Sequence, residues 1–151
     1  MDMSATWCPP CWSYHTAGTL EDVWMNHGPA GAPGVSASTT DDVVVFYIEA
    51  DASTTSADLN GTGSNTQGDW VTGVDYYIVD DASLNGPYAL SYFPTIYTIC
   101  PNRILTESGQ ASATQHYSVV GNCESANGTT NGALLASVSY THLTLPTICS
   151  V

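Results

Sequence analysis

Cys8-Pro9-Pro10-Cys11 is the one place in the chain where two cysteines stand close together in sequence; the others are Cys100, Cys123 and Cys149. A structural zinc site of the paired-knuckle kind needs two such close pairs, or one pair with closely spaced histidines. His15, His27, His116 and His142 are scattered, so no metal is expected. An isolated C-x-x-C beside α/β patterning points instead to redox chemistry.

Thiol–disulfide exchange needs an exposed thiolate with a pKa near ambient pH. The motif opens a helix, whose unpaired N–H groups and dipole favour an anion at Cys8. That dipole contributes only about 0.3–2 kcal/mol. A deeper drop in pKa needs a second donor, and the Cys11 thiol, three residues on and on the same helix face, is placed to give it. Cys8 is therefore expected to attack and Cys11 to resolve the mixed disulfide. Pro9 and Pro10 stiffen the turn and remove N–H groups near Cys8. A bridge closing so short a loop is a poor staple, which favours redox work over a structural role. Trp7 and Trp12 flank the pair, either as packing or as an apolar rim for a partner polypeptide. His15 shares the helix face and is a candidate for proton transfer, although an ordinary helical histidine fits the same position.

The elements that must position these residues follow. Residues 8–27 read as one helix, with Leu20, Val23, Trp24 and His27 forming an apolar stripe that stops at Gly28-Pro29. After a Gly/Pro/Ser/Thr loop, residues 43–48 (Val-Val-Val-Phe-Tyr-Ile) read as a strand buried on both faces, internal and parallel. A short helix over 53–59, a strand over 76–79 and a helix from Asp80 to about residue 90 come next. Residues 92–100 read as a strand entered through Pro94. Pro101-Asn102-Arg103 is a turn, residues 104–107 return, and residues 112–120 form a closing helix. This order brings Cys123 back near Cys100, making the two a candidate structural disulfide that would support an oxidising compartment.

Composition narrows the partners. The 151 residues suit one domain, and 43% are hydrophobic, enough for a core. Arg103 is the only Lys or Arg, and the net charge is −13. Such a chain cannot replace phosphate counterions, which excludes nucleic-acid binding and attraction to anionic membranes. No apolar run approaches the length of a membrane span, so no membrane insertion is expected.

Ala5-Thr6-Trp7-Cys8-Pro9-Pro10-Cys11 resembles the active-site motif of the thioredoxin superfamily. Phe93-Pro94-Thr95, with Pro94 83 residues after Cys11, resembles its cis-proline loop. The resemblance covers roughly residues 4–122 and is nearest to the TlpA-like group of extracytoplasmic thiol-disulfide oxidoreductases, including secreted Bacteroidetes-type domains. It implies a thioredoxin-like three-layer α/β fold with a central mixed sheet. It also implies a cis Phe93–Pro94 bond set against the disulfide, where Phe93, Pro94 and Thr95 support substrate. A buried acid that serves the resolving cysteine is implied near Glu49 or Asp51. No cofactor is implied.

The family's motif helix follows a long apolar strand, whereas only six residues precede Trp7 here. Asp2 stands where an apolar residue is wanted. The central strand thus reads as N-terminally truncated and the chain as a piece of a longer product, with no signal peptide in its first residues. Residues 1–123 read as the domain. Residues 124–151 read as linker-like and non-native, because residues 138–147 resemble a translated sequencing adaptor.

The expected function is a thiol-disulfide oxidoreductase, periplasmic or secreted, acting on protein cysteines together with a redox partner. The alternative is a non-enzymatic thioredoxin-like module of a larger secreted protein, with a permanent Cys8–Cys11 disulfide. A third reading is a metal-binding C-x-x-C protein.

Overall fold

The structure, a computed structural model, describes residues 1–124. The expectation of a non-native tail falls on residues outside that range. Along the chain run β1 (Asp2–Ser4), α1 (Pro9–Thr16), α2 (Thr19–His27), β2 (Phe46–Glu49), α3 (Ser56–Leu59) and β3 (Tyr77–Asp80). A 3-10 turn (Ala82–Asn85), β4 (Thr95–Ile99), β5 (Leu105–Glu107) and α4 (Ala113–Val120) follow. The class is α/β, with one five-stranded mixed sheet in the order β3-β2-β1-β4-β5.

Although only three residues long, β1 fills the middle of the sheet. It runs parallel to β2, with Asp2 opposite Tyr47, and antiparallel to β4, with Asp2 opposite Ile96. Because side chains alternate across a strand, this register sorts the residues onto two faces. Met3, Ile48 and Tyr97 go to one side, covered by Leu84, Tyr88 and Leu90. Tyr47 and Ile96 go to the other, beneath Cys11 and Tyr14 of α1 and Leu20, Val23 and Trp24 of α2. Asp2, Ser4 and Glu49 share that second face by the same alternation.

Several boundaries differ from the sequence reading, each for a local reason. The single helix over 8–27 is two helices, because Gly18 adopts the left-handed conformation (φ 71°) and breaks the ladder between them. The strand at 43–48 begins only at Phe46: Asp42 and Val43 donate their N–H groups to the carbonyl of His27, closing α2 instead of extending a ladder. The expected helix over 80–90 is a 3-10 turn capped by Asp81, whose carboxylate accepts from Ser83 N at 2.9 Å. Pro87, which has no N–H to give, follows directly after Gly86 and prevents its continuation. The closing helix keeps its expected place, with Ser112 and Gln115 capping it reciprocally.

Candidate thiol–disulfide site

Cys8 and Cys11 form a disulfide at the N-terminus of α1, with Cα atoms 5.3 Å apart. Cys8 is the N-cap residue, and its Sγ accepts the Cys11 N–H at 3.3 Å. Pro9 and Pro10 carry no N–H, so the first amide of the helix is the one aimed at this sulfur. A negative charge developing on Cys8 Sγ is met by one directed donor and the positive end of the helix.

The segment leading into the motif is pinned on both sides. Thr6 N donates to Glu49 Oε2 at 2.8 Å and Thr6 Oγ1 to Asn65 O at 2.8 Å. The Trp7 indole N–H donates to Asp51 Oδ2 at 2.9 Å, and the Gln67 side-chain amide donates to Trp7 O at 2.9 Å. The end of β2 and the loop over residues 60–70 therefore act as a jig for residues 6–8. Trp7 is 39% exposed and meets Phe93 edge to face, with centroids 5.9 Å apart. The Phe93–Pro94 bond is cis. Thr95, buried beside it, pairs with Met3 of β1 and caps back to Tyr92 O. Cys8, Cys11, Trp7, Trp12, Glu49, Asp51 and Phe93 are thus gathered at one end of the sheet.

One expectation is corrected. Exchange calls for an exposed sulfur, yet in the disulfide form Cys8 is only 3% exposed and Cys11 fully buried. Both belong to the main core cluster, because the pair also plugs the gap between α1 and the sheet.

The two acids near the end of β2 differ in character. Glu49 is fully buried, and burial pushes its carboxyl above the usual range. Hydrogen bonds from Asp51 N, Thr6 N and Tyr47 OH oppose that rise. Asp51 is held below the usual range by Ser53, with the Trp7 indole assisting, so it is an ionised anchor. His15 packs against both Trp12 and Trp70, with centroids 5.5 and 4.8 Å away, in a cluster of three mutually touching rings, and burial lowers its pKa. It serves as an aromatic plate under α1. Trp12 is held in the same cluster, 5.0 Å from Trp70. Cys100 and Cys123 form a second disulfide, with Cα atoms 5.2 Å apart.

Sequence reasoning took Asp2 only as a residue out of place in an apolar strand. It is 1% exposed, accepts the Ser4 hydroxyl at 2.6 Å, and burial pushes its pKa up to about 6. The signal was the alternation Asp2-Met3-Ser4, with two polar residues sharing one face. An acid that is harder to ionise when folded stabilises the fold only while protonated. Its contribution is complete below about pH 4, the unfolded value, and is lost as pH rises through about 6. The stake is on the order of 2–3 kcal/mol. Urea unfolding followed from pH 4 to 8 should show the midpoint falling in the wild type and falling distinctly less in Asp2→Asn. Equal falls in the two proteins would show that charging Asp2 is not the cause.

No family model, curated protein or solved structure matches the chain. Among the described residues, no helix is long and apolar enough to cross a membrane, and no group of three or more His, Cys, Asp or Glu could hold a metal ion.

Proposed function

We propose that the chain is a thioredoxin-like thiol-disulfide oxidoreductase domain, similar to the TlpA-like group. Its place would be an oxidising, extracytoplasmic compartment, and its substrates cysteines of other proteins. The observation that carries this reading is the Cys8–Cys11 disulfide at a helix N-terminus, with the cis Phe93–Pro94 loop joined to it through the Trp7–Phe93 contact. A parallel-parallel-antiparallel-antiparallel sheet with the motif directly after its middle strand supports the same fold. Two disulfides in one small domain support the compartment.

In the reducing direction, Cys8 thiolate attacks a substrate disulfide. One substrate sulfur bonds to Cys8 Sγ and the other leaves as a thiolate. Cys11, after losing its proton, then attacks Cys8 Sγ, re-forms the Cys8–Cys11 bond and expels the second substrate thiolate. Asp2 and Glu49 are the buried carboxyls on the motif's face of the sheet, and with raised pKa values they are suited to take up the Cys11 proton. The oxidising direction runs the same steps backwards.

Cys11→Ser removes only the resolving step, so a mixed disulfide through Cys8 should accumulate with a cysteine-containing polypeptide and be released by dithiothreitol. Failure to trap any adduct in the reduced, folded variant would overturn the reading.

The burial of both sulfurs favours one second reading, a module whose motif disulfide is permanent. The potential of the Cys8–Cys11 couple separates the two. A value below about −300 mV marks a structural bridge, while values near about −270 and −120 mV mark a reductant and an oxidant.

A further inference from the structure

Three aromatic residues adjoin the motif. Trp7, 39% exposed, precedes Cys8 in the chain and meets Phe93 edge to face; Tyr92, 53% exposed, precedes Phe93. The two open rings each give their polar hydrogen to a carboxylate. The Trp7 indole N–H donates to Asp51 Oδ2 at 2.9 Å, and the Tyr92 hydroxyl donates to Glu107 Oε1. A carboxylate that accepts from an indole or a phenol pushes electron density into the ring, and an electron-rich face attracts cations. Asp51 keeps its charge, since Ser53 holds it below the usual carboxylate range. No Lys or Arg of the chain sits beside either pair. Arg103, the only one, lies in the turn after β4, at the opposite end of that strand from Tyr92 and Phe93.

We infer that the polypeptide presented to Cys8 carries Lys or Arg beside its cysteine, and that the Trp7–Asp51 and Tyr92–Glu107 pairs read those cations. The inference rests on the exchange chemistry proposed for Cys8 and names its substrate class. A cationic side chain laid on either ring gains from the ring face and from the carboxylate behind it. An acidic one is repelled by both carboxylates and by a chain of net charge −13. An apolar one gains contact with the rings but nothing from the charges. Each exposed cation–ring contact changes a rate constant by about two- to fivefold, so two pairs acting together give roughly five- to twentyfold.

The test uses the full chain, reduced with dithiothreitol and then freed of it. Peptides of one length each carry a single cysteine as its mixed disulfide with 2-nitro-5-thiobenzoate, flanked on both sides by Lys, Ala, Leu or Glu. Cys8 thiolate bonds to the peptide sulfur, the old disulfide breaks, and the coloured nitrothiobenzoate leaves as a thiolate. Cys11, after losing its proton, re-forms the Cys8–Cys11 bond and expels the peptide thiolate. The rate with Cys8→Ser protein treated alike is subtracted. Each result is divided by the rate of the same peptide with 2-mercaptoethanol, which removes its intrinsic reactivity. The lysine peptide should then react about five- to twentyfold faster than the glutamate peptide, with the alanine and leucine peptides between them. Asp51→Asn and Glu107→Gln should each narrow that gap by half or more. Glu124→Gln, the same charge change beside Cys100 at the other end of β4, should leave it as it is. Equal rates for the lysine and glutamate peptides, or a leucine peptide as fast as the lysine one, would overturn the inference and leave the exchange chemistry standing. A gap untouched by Asp51→Asn and Glu107→Gln, or narrowed as much by Glu124→Gln, would overturn it too, because the charge of the whole chain would then be the cause. Absence of Cys8-dependent release from every peptide would instead overturn the exchange reading itself.

Discussion

Cys8→Ser is expected to bring disulfide-reducing turnover down to the uncatalysed background while leaving the fold in place. The chemical part of the argument is that serine offers no thiolate and cannot form the mixed disulfide. The structural part rests on the position of Cys8 as N-cap of α1, accepting the Cys11 N–H. Serine is among the best residues at an N-cap, and its hydroxyl can accept the same amide. The bridge being lost closes a loop with a sequence separation of only 3, so its removal relaxes the unfolded chain little. Insulin reduction driven by dithiothreitol, followed by turbidity, measures the loss, and a thermal melt checks the fold. Turnover surviving in the serine variant would place the chemistry elsewhere. The 3% exposure of Cys8 adds a second expectation: a partner reaches the sulfur only after the side chains packed around it move aside.

Trp70→Ala is expected to destabilise the domain by about 3–5 kcal/mol, the usual range for emptying a large aromatic site in a core. Trp70 is 1% exposed. It packs against Trp12 at 5.0 Å, His15 at 4.8 Å and Tyr47 at 5.3 Å, joining α1 to β2 through one ring. Its indole N–H donates to Thr66 Oγ1 at 3.1 Å, and its backbone N–H to Leu59 O at 2.9 Å. Truncation therefore leaves a cavity under the motif helix and strips the Thr66 hydroxyl of one of its two donors, the other being Gly68 N. A loss of that size is a large fraction of a typical domain's stability. Urea unfolding monitored by far-ultraviolet circular dichroism measures it, and a loss below about 1 kcal/mol would mean that the site collapses onto itself.

Trp70 also shows where reading the sequence stopped. It follows a polar stretch with Asn60-Gly61-Thr62-Gly63-Ser64, and a single large ring after such a run has no period to announce it. Its contacts with Trp12 and His15 of α1 join residues more than fifty positions apart, as do those of Asn65 and Gln67 with Thr6 and Trp7. By contrast, the C-x-x-C spacing placed both sulfurs on one helix turn without any long-range knowledge. The X-Pro entry to the fourth strand was legible because proline acts on its own backbone. The Cys100–Cys123 pairing was within reach because a hairpin followed by one helix leaves few places for its end. Asp2 was misjudged because local pattern prices a buried acid as an error, whereas Ser4, two residues on and on the same strand face, supplies it with a hydroxyl partner. The exposure of Cys8 was misjudged because burial depends on what the rest of the chain lays over the helix end.

α4 is eight residues long, too short to persist as an isolated helix in water. It is nevertheless fastened to three different parts of the molecule. His116 meets the Tyr14 hydroxyl of α1 at 2.6 Å, Tyr117 lies flat on His27 of α2, and Cys123 is bonded to Cys100 at the end of β4. Segments near the end of a domain are ordinarily the first to fray and the first cut by proteases. Tied in this way, the segment closes the domain like a clasp. Peeling it away would disturb both helices of the motif face at once, so its amides should exchange as slowly as those of the sheet interior.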